Sequence, residues 1–159
     1  MKSVTICAAA WEAIEAAATR ALPRETGGLL LGYYVGDEAC VVRCVEVRDP
    51  DASSVRYRRD ADGGTAALKK AMASHPDGST GYVGEWHSHP AASGPSTTDC
   101  KAVRQLASDG NHDVLLIVAV NTASGWCGHA INATPAGDVQ PLTLRLVDQR
   151  TEDRLEYEH

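Results

Sequence analysis

Two histidines two residues apart, then a serine and an aspartate three apart, form the stretch of this chain best equipped for chemistry. They lie in "YVGEWHSHPAASGPSTTD", which runs from Tyr82 to Asp99. On a strand, residues i and i+2 project to the same side, so His87 and His89 face one way and Trp86 and Ser88 the other. Two imidazoles on one face can hold a metal ion together, or they can be neighbouring surface histidines with no ion. Pro90 ends such a strand and puts His89 at its tip, where sheet proteins commonly build sites. "STTD" is close to a capping box, with Ser96 as N-cap and Asp99 at the third helical position. A carboxylate in a first helical turn is also held in place and kept ionised by the helix dipole, which suits a metal ligand. Both readings stand at this point.

Two imidazoles and a carboxylate suggest zinc, about one ion per chain, with a fourth position left for water. Such a water has a pKa near ~7 and can attack a carbonyl. Other zinc patterns do not fit, since the chain has no H-E-x-x-H helix and no C-x-x-C after the histidines. Glu85 shares the strand face of His87 and His89. It is either a support for a ligand, a rival base, or a strand-end carboxylate near solvent. Cys40 and Cys44 sit in an extended stretch, roughly 13 Å apart along one face, too far for a disulfide, and read as small core or sheet residues. Cys100 is turned by ~100° from its neighbour Asp99 on a helix and is set aside. His75, His112 and His129 have no partner pattern and read as surface or structural.

The elements that must position these residues follow from periodicity. After a short strand Val4–Ile6, Trp11, Ile14, Ala18 and Ala21 or Leu22 recur at helical spacing until Pro23. "GGLLLGYYV" and "EACVVRCVEV" are apolar strands joined by Gly36-Asp37, a predicted hairpin. "SVRYRR" is a predicted short strand with Val55 and Tyr57 on one face. A short helix is expected around Ala66–Ala73, then a loop through Pro76 and Gly78. "GYVGEWHSH" is the next strand, and "STTDCKAVRQLASDGN" a helix with a Gly-Asn stop. "DVLLIVAV" reads as the sheet centre, followed by strands "GWCGHAIN" and "VQPLTLRLV", the last placed at an edge by Pro141. The class is α/β (α+β), with one curved mixed sheet flanked by helices.

A chain of 159 residues is most simply one domain, here residues 1–148 with a charged, loose tail at 149–159. It is 43% hydrophobic and 23% charged, has no Phe, and carries a net charge of −6. Arg56, Arg58 and Arg59 are interrupted by Tyr57 and flanked by Asp60 and Asp62, so no concentrated basic face exists for nucleic acid. No segment approaches the ~20 apolar residues of a membrane span. Glu12 and Glu15 break the N-terminal apolar run, which argues against a signal peptide. Five cysteines without framework spacing argue against a secreted disulfide scaffold. A cytoplasmic protein is expected.

The pattern H-x-H, a loop, then S-x-x-D resembles the JAMM (MPN-type) metalloproteases, which cut isopeptide or peptide bonds after ubiquitin-like proteins. That family has an essential upstream glutamate at the start of a strand running into glycine and aliphatic residues, and "ETGGLLLG" supplies Glu25 in that setting. The resemblance covers the chain from the first helix through "DVLLIVAV" and implies a single MPN/JAMM-like domain. It implies that His87, His89 and Asp99 bind zinc, and that Glu25 acts as general base and then acid. It implies that Ser96 donates a hydrogen bond to the developing oxyanion. The loop Pro90–Pro95 is one residue shorter than the family's usual spacing, and its closure over the metal is the point of departure.

The short form looks most like the bacterial branch, whose members resemble partners of ubiquitin-like activating and conjugating enzymes, including those of antiphage CBASS operons. The implied substrate is a ubiquitin-like protein or its conjugate, its extended C-terminal tail docked beside an exposed strand. Processing of a sulfur-carrier C-terminus keeps the chemistry with another substrate. A non-catalytic MPN scaffold would lack the ligand set. A RadC-like DNA-linked protein also carries an H-x-H-P loop, but an acidic chain without a concentrated basic face fits it poorly.

Overall fold

The computed structural model describes residues 1–59, 61–74 and 80–148. His75, Asp60, the loop through Pro76 and Gly78, and the tail at 149–159 lie outside the described residues. The order along the chain is β1 (Ser3–Cys7), α1 (Ala8–Ala21), β2 (Gly27–Val35), β3 (Glu38–Glu46), α2 (Ala61–Ser74), β4 (Gly81–His89), α3 (Thr97–Gly110), β5 (Val114–Thr122), β6 (Gly125–Ala133) and β7 (Val139–Val147).

The uninterrupted apolar run of β5 is explained by burial on both faces. Leu115, Ile117 and Ala119 pack with Ala10, Ile14 and Ala17 of α1, while Leu116, Val118 and Val120 pack with Val103 and Ala107 of α3. Strand alternation thus makes two cores from one sheet. On α1, Ile14 and Ala18 are buried as the helical spacing predicts. Trp11 only borders that core and Leu22 is exposed, their places being taken by Ala10 and Ala17. No helix among the described residues is long and apolar enough to cross a membrane.

The predicted mixed sheet curves further than an open sheet. Its strands run β1-β3-β2-β4-β5-β6-β7 and close into a barrel when β7 pairs with β1. The pairs β1–β3, β4–β5 and β1–β7 are parallel and the others antiparallel. The predicted β2–β3 hairpin is present. β7 is not an edge strand, because β6 pairs with Val139–Leu142 and β1 with Thr143–Val147. Pro141 lies in the half paired on one side only, the kind of strand position where a residue without an N–H is tolerated.

Three other expectations change. Residues 53–59 form no strand but a strap, held by bonds from Ser53 N to Arg56 O (3.0 Å), from Val55 N to Ser53 Oγ (3.3 Å) and from Arg58 N to Asp49 Oδ2 (2.9 Å). Val55 is 85% exposed while Tyr57 is half-buried, so the two share no packed face. α2 begins at Ala61 rather than Ala66 and so takes in Gly63 and Gly64; a Cβ on Gly64 would strike the Arg59 guanidinium. Cys40 and Cys44 do not share a face. A bulge at Val42 shifts the register between Gly32↔Val41 and Leu31↔Arg43. Cys44 therefore joins Ala39 and Val41 against the α1 core while Cys40 stays outside it. Neither cysteine forms a disulfide, and burial pushes the Cys44 thiol up to about 12.

Candidate metal centre

β4 carries the two histidines between β2 and β5. Its register pairs His87 with Val118 and His89 with Val120, so the imidazoles share the face covered by α3. Trp86 points the opposite way into the α1 core, as alternation requires, and donates from Nε1 to Val45 O at 3.3 Å. Ser88, fully buried on the same side as Trp86, ties β4 to the corner that precedes β2. Its Oγ accepts from Thr26 N at 3.0 Å and donates to Thr26 O at 3.3 Å, and its own N–H reaches Thr26 O at 2.8 Å. Glu25 is thereby set beside the histidines. Gly27 must be glycine, since a Cβ there would meet both the Trp86 carbonyl and the Tyr57 ring.

At the start of α3 the capping box is complete. Asp99 N donates to Ser96 Oγ at 3.1 Å, and Ser96 N donates to Asp99 Oδ2 at 2.7 Å. The helix ends, as the sequence predicts, at Asn111 in the left-handed region (φ 51°). The cap does not remove Asp99 from the histidines. Its Oδ1 lies 3.2 Å from His87 Nε2 and its Oδ2 lies 3.3 Å from His89 Nε2. The two Nε2 atoms are 3.2 Å apart, and Glu25 Oε1 stands 3.9 Å from His89 Nε2. Among the described residues, His87, His89 and Asp99 are the group of three whose ligating atoms all fall within 4.8 Å of one another.

The donor set itself tests whether a cation fits. His89 Nδ1 is 2.7 Å from the Ser93 carbonyl, which can only accept, so Nδ1 carries the proton. In a neutral ring Nε2 is then a lone pair aimed at an acceptor-only carboxylate and at the neighbouring imidazole. A shared cation resolves that opposition, and a backbone carbonyl behind the other ring nitrogen is the usual support of a metal-bound histidine. The residues therefore fit zinc. The Ser93 contact also ties the short loop Pro90–Pro95 to His89, through the ring nitrogen that faces away from Asp99.

The electrostatics agree with the geometry. Burial raises Glu25 above its ordinary 4.5, helped by the charge of Asp99 and opposed by His87 and His89. Burial alone would raise Asp99 as well, but hydrogen bonds from His87, His89 and the Ser96 amide hold it well below the usual carboxylate range. His89 is raised above 6.5, first by its bond to Asp99, against the opposing effect of burial, with Ser93 adding to it.

Glu85 is neither near solvent nor aimed at the ligand cluster. It is 8% exposed and binds Arg59 Nε at 2.7 Å and Tyr82 OH at 3.3 Å. Burial raises its carboxyl, with Arg59 pulling the other way. Cys100 borders the α3 core, and His112 and His129 are exposed. The sequence reading missed Ser88, the Ser93 carbonyl and Tyr57, whose ring centroid is 6.2 Å from that of His87. Ser88, a small polar residue between two histidines, left a visible trace in the sequence; a loop carbonyl leaves none.

Two clefts meet at the centre. One, of about 330 Å³, runs between the strap and α3 over a floor of Glu85, His87 and Leu116. The other, also about 330 Å³, is bounded by Glu25, Val55, His89, Ser93 and Ser96. Tyr57, Thr98 and Asp99 line both.

Residues 8–133 match the family model described as prokaryotic homologs of the JAB domain. A protein of Enterobacter hormaechei subsp. hoffmannii named CD-NTase/cGAS isopeptidase is 32% identical over 129 residues, covering 77% of this chain and 69% of its own. The solution structure of protein DSY2949 from Desulfitobacterium hafniense superposes with a TM-score of 0.72 at 24% identity, covering 92% of this chain and 94% of that one, a likeness of fold. With its His-His-Asp cluster on a barrel of this topology, the chain belongs to the prokaryotic branch of the JAB (JAMM/MPN) family.

Proposed function

We propose that this chain is a zinc-dependent isopeptidase or peptidase that cleaves after the C-terminus of a ubiquitin-like protein, in deconjugation or in precursor processing. The carrying observation is the His87, His89 and Asp99 cluster, with a buried Glu25 carboxylate 3.9 Å from one of its nitrogens. The name of the Enterobacter relative supports an amide bond as the target. Zinc held by His87 Nε2, His89 Nε2 and Asp99 would supply a Lewis acid for the carbonyl and lower the pKa of water.

The chain's own residues account for the rest. Glu25 accepts a proton from the attacking water and returns it to the leaving amine. Water oxygen bonds to the carbonyl carbon as the C–N bond breaks, leaving a carboxylate and a free amine. Ser96 Oγ accepts from Asp99 N, yet its hydroxyl keeps a proton of its own, which it donates to the developing oxyanion. Ser93 holds His89 in the tautomer that leaves Nε2 free.

β4 is paired on both sides by β2 and β5, so the tail does not dock as its neighbouring strand. The tail would instead lie in the cleft between the strap and α3, its last carbonyl reaching His87 and Asp99. The partners are then the ubiquitin-like protein or its conjugate, and the activating and conjugating enzymes that act on it.

The test is zinc analysis of the purified protein together with cleavage of ubiquitin-like fusions. About one zinc per chain and release of the free C-terminus are expected. A metal-free protein with intact ligands would sink the catalytic reading. A zinc-loaded protein inert towards every fusion would leave the non-catalytic scaffold.

A further inference from the structure

The ion pair between Arg59 and Glu85 has no part in the chemistry above, yet both side chains are largely buried, at 20% and 10% exposure. Several features are arranged around it. A bulge at Val83 shifts the β2–β4 register between Leu30↔Gly84 and Leu31↔Tyr82. Tyr82 is thereby turned to the face of Glu85, where its hydroxyl gives the carboxylate a second donor. Gly64 has no side chain to block the guanidinium, which lies against the first turn of α2.

The pair also sits at one end of the strap. At the other end Ser53 O accepts from Glu25 N at 2.7 Å, and between them Tyr57 OH donates to Val47 O at 2.6 Å. Among the described residues, Arg59–Glu85 is the strap's hydrogen-bonded tie to β4, the strand of His87 and His89. The strap is the wall common to both clefts, with Tyr57 as its shared side chain.

We propose that the Arg59–Glu85 pair is a latch that positions the strap, keeping Tyr57 over His87 and Ser53 on the Glu25 backbone so that both clefts are preformed for substrate. Its effect on catalysis rests on the isopeptidase reading; its effect on the strap does not. Arg59 and Glu85 are positioning residues, with no contact to the reacting atoms required. A buried charge-assisted bond of this kind is among the stronger ones a surface segment can have, and removing one partner strands the other charge.

The experiment compares wild type, Glu85→Gln, Arg59→Ala and Arg59→Lys in the zinc-loaded protein by amide hydrogen exchange and steady-state cleavage of a ubiquitin-like fusion. Glu85→Gln and Arg59→Ala should speed exchange at the Glu25 and Arg58 amides by about tenfold or more, with Ile117 in β5 unchanged. KM should rise about threefold or more at constant zinc content, as expected when the competent conformation is only partly populated. Arg59→Lys, which keeps the charge and a donor, should recover most of both effects. Unchanged exchange at Glu25 and Arg58, equal acceleration at Ile117, or faster exchange with unchanged KM each overturns the latch. If wild type cleaves no fusion, the proposed function fails, and exchange alone decides whether the latch exists.

Discussion

Ser96 is asked to do two things, and substituting it separates them. Its Oγ accepts from Asp99 N at 3.1 Å, which caps α3, while its hydroxyl proton has no acceptor among the described residues and is free for an oxyanion. Ser96→Ala loses both, at about 0.5–2 kcal/mol of stability for the cap. Ser96→Gly loses the same hydroxyl but costs only about a few tenths of a kcal/mol, because an unencumbered N-cap backbone is readily hydrated. The reciprocal bond from the residue-96 amide to Asp99 Oδ2 survives in both variants, so Asp99 remains in place and zinc content should not change. Loss of an oxyanion donor costs about 10²–10³ in kcat. Both variants should therefore lose activity equally while differing in stability. Denaturation midpoints, zinc analysis and kcat on a ubiquitin-like fusion measure the three quantities separately. A Ser96→Gly enzyme with kcat within about threefold of wild type would refute the oxyanion role, because the expected loss is far larger than that.

Glu25→Gln keeps the shape of a buried carboxyl near His89 and removes its basicity, so zinc content should hold while cleavage falls by about 10²–10⁴. In the metal-free protein, the raised His89 contributes stability that is present below 6.5 and lost as pH climbs through its folded value. The depressed Asp99 contributes stability that is present above 3.8 and lost as pH falls through its folded value. Thermal midpoints of metal-free protein should accordingly peak between those limits, whereas the stabilisation added by zinc should grow with pH, since the ligands must be deprotonated. A zinc increment that shrinks with rising pH would count against this ligand set. Gly27→Ala drives a methyl into the Trp86 carbonyl and the Tyr57 ring, and should cost about 1–3 kcal/mol in denaturation while displacing the strap; an unperturbed variant would contradict the packing of Tyr57.

What the sequence made legible was local. Strand parity put His87 and His89 on one face, and the spacing of Ser96 and Asp99 made a capping box, because both depend only on backbone period. Glu25 had no local signal and was found through resemblance alone. The remaining support is long-range: a carbonyl from the loop, a serine bonded 62 residues back to Thr26, and a strap whose "SVRYRR" imitates a strand while its bonds go to Asp49, Val47 and Glu85. Bulges were the decisive hidden variable. One extra residue at Val42 separates Cys40 from Cys44, and another at Val83 turns Tyr82 onto the face of Glu85. In a regular strand Tyr82 and Glu85, three residues apart, would lie on opposite faces, and the tyrosine could not donate to the carboxylate. With the bulge, Tyr82 and Arg59 both reach Glu85, and a residue that parity alone assigns to the metal's face is claimed by the strap instead. Periodicity can name the residues that share a face with a site, but only the irregularities of the ladder decide which of them belong to it.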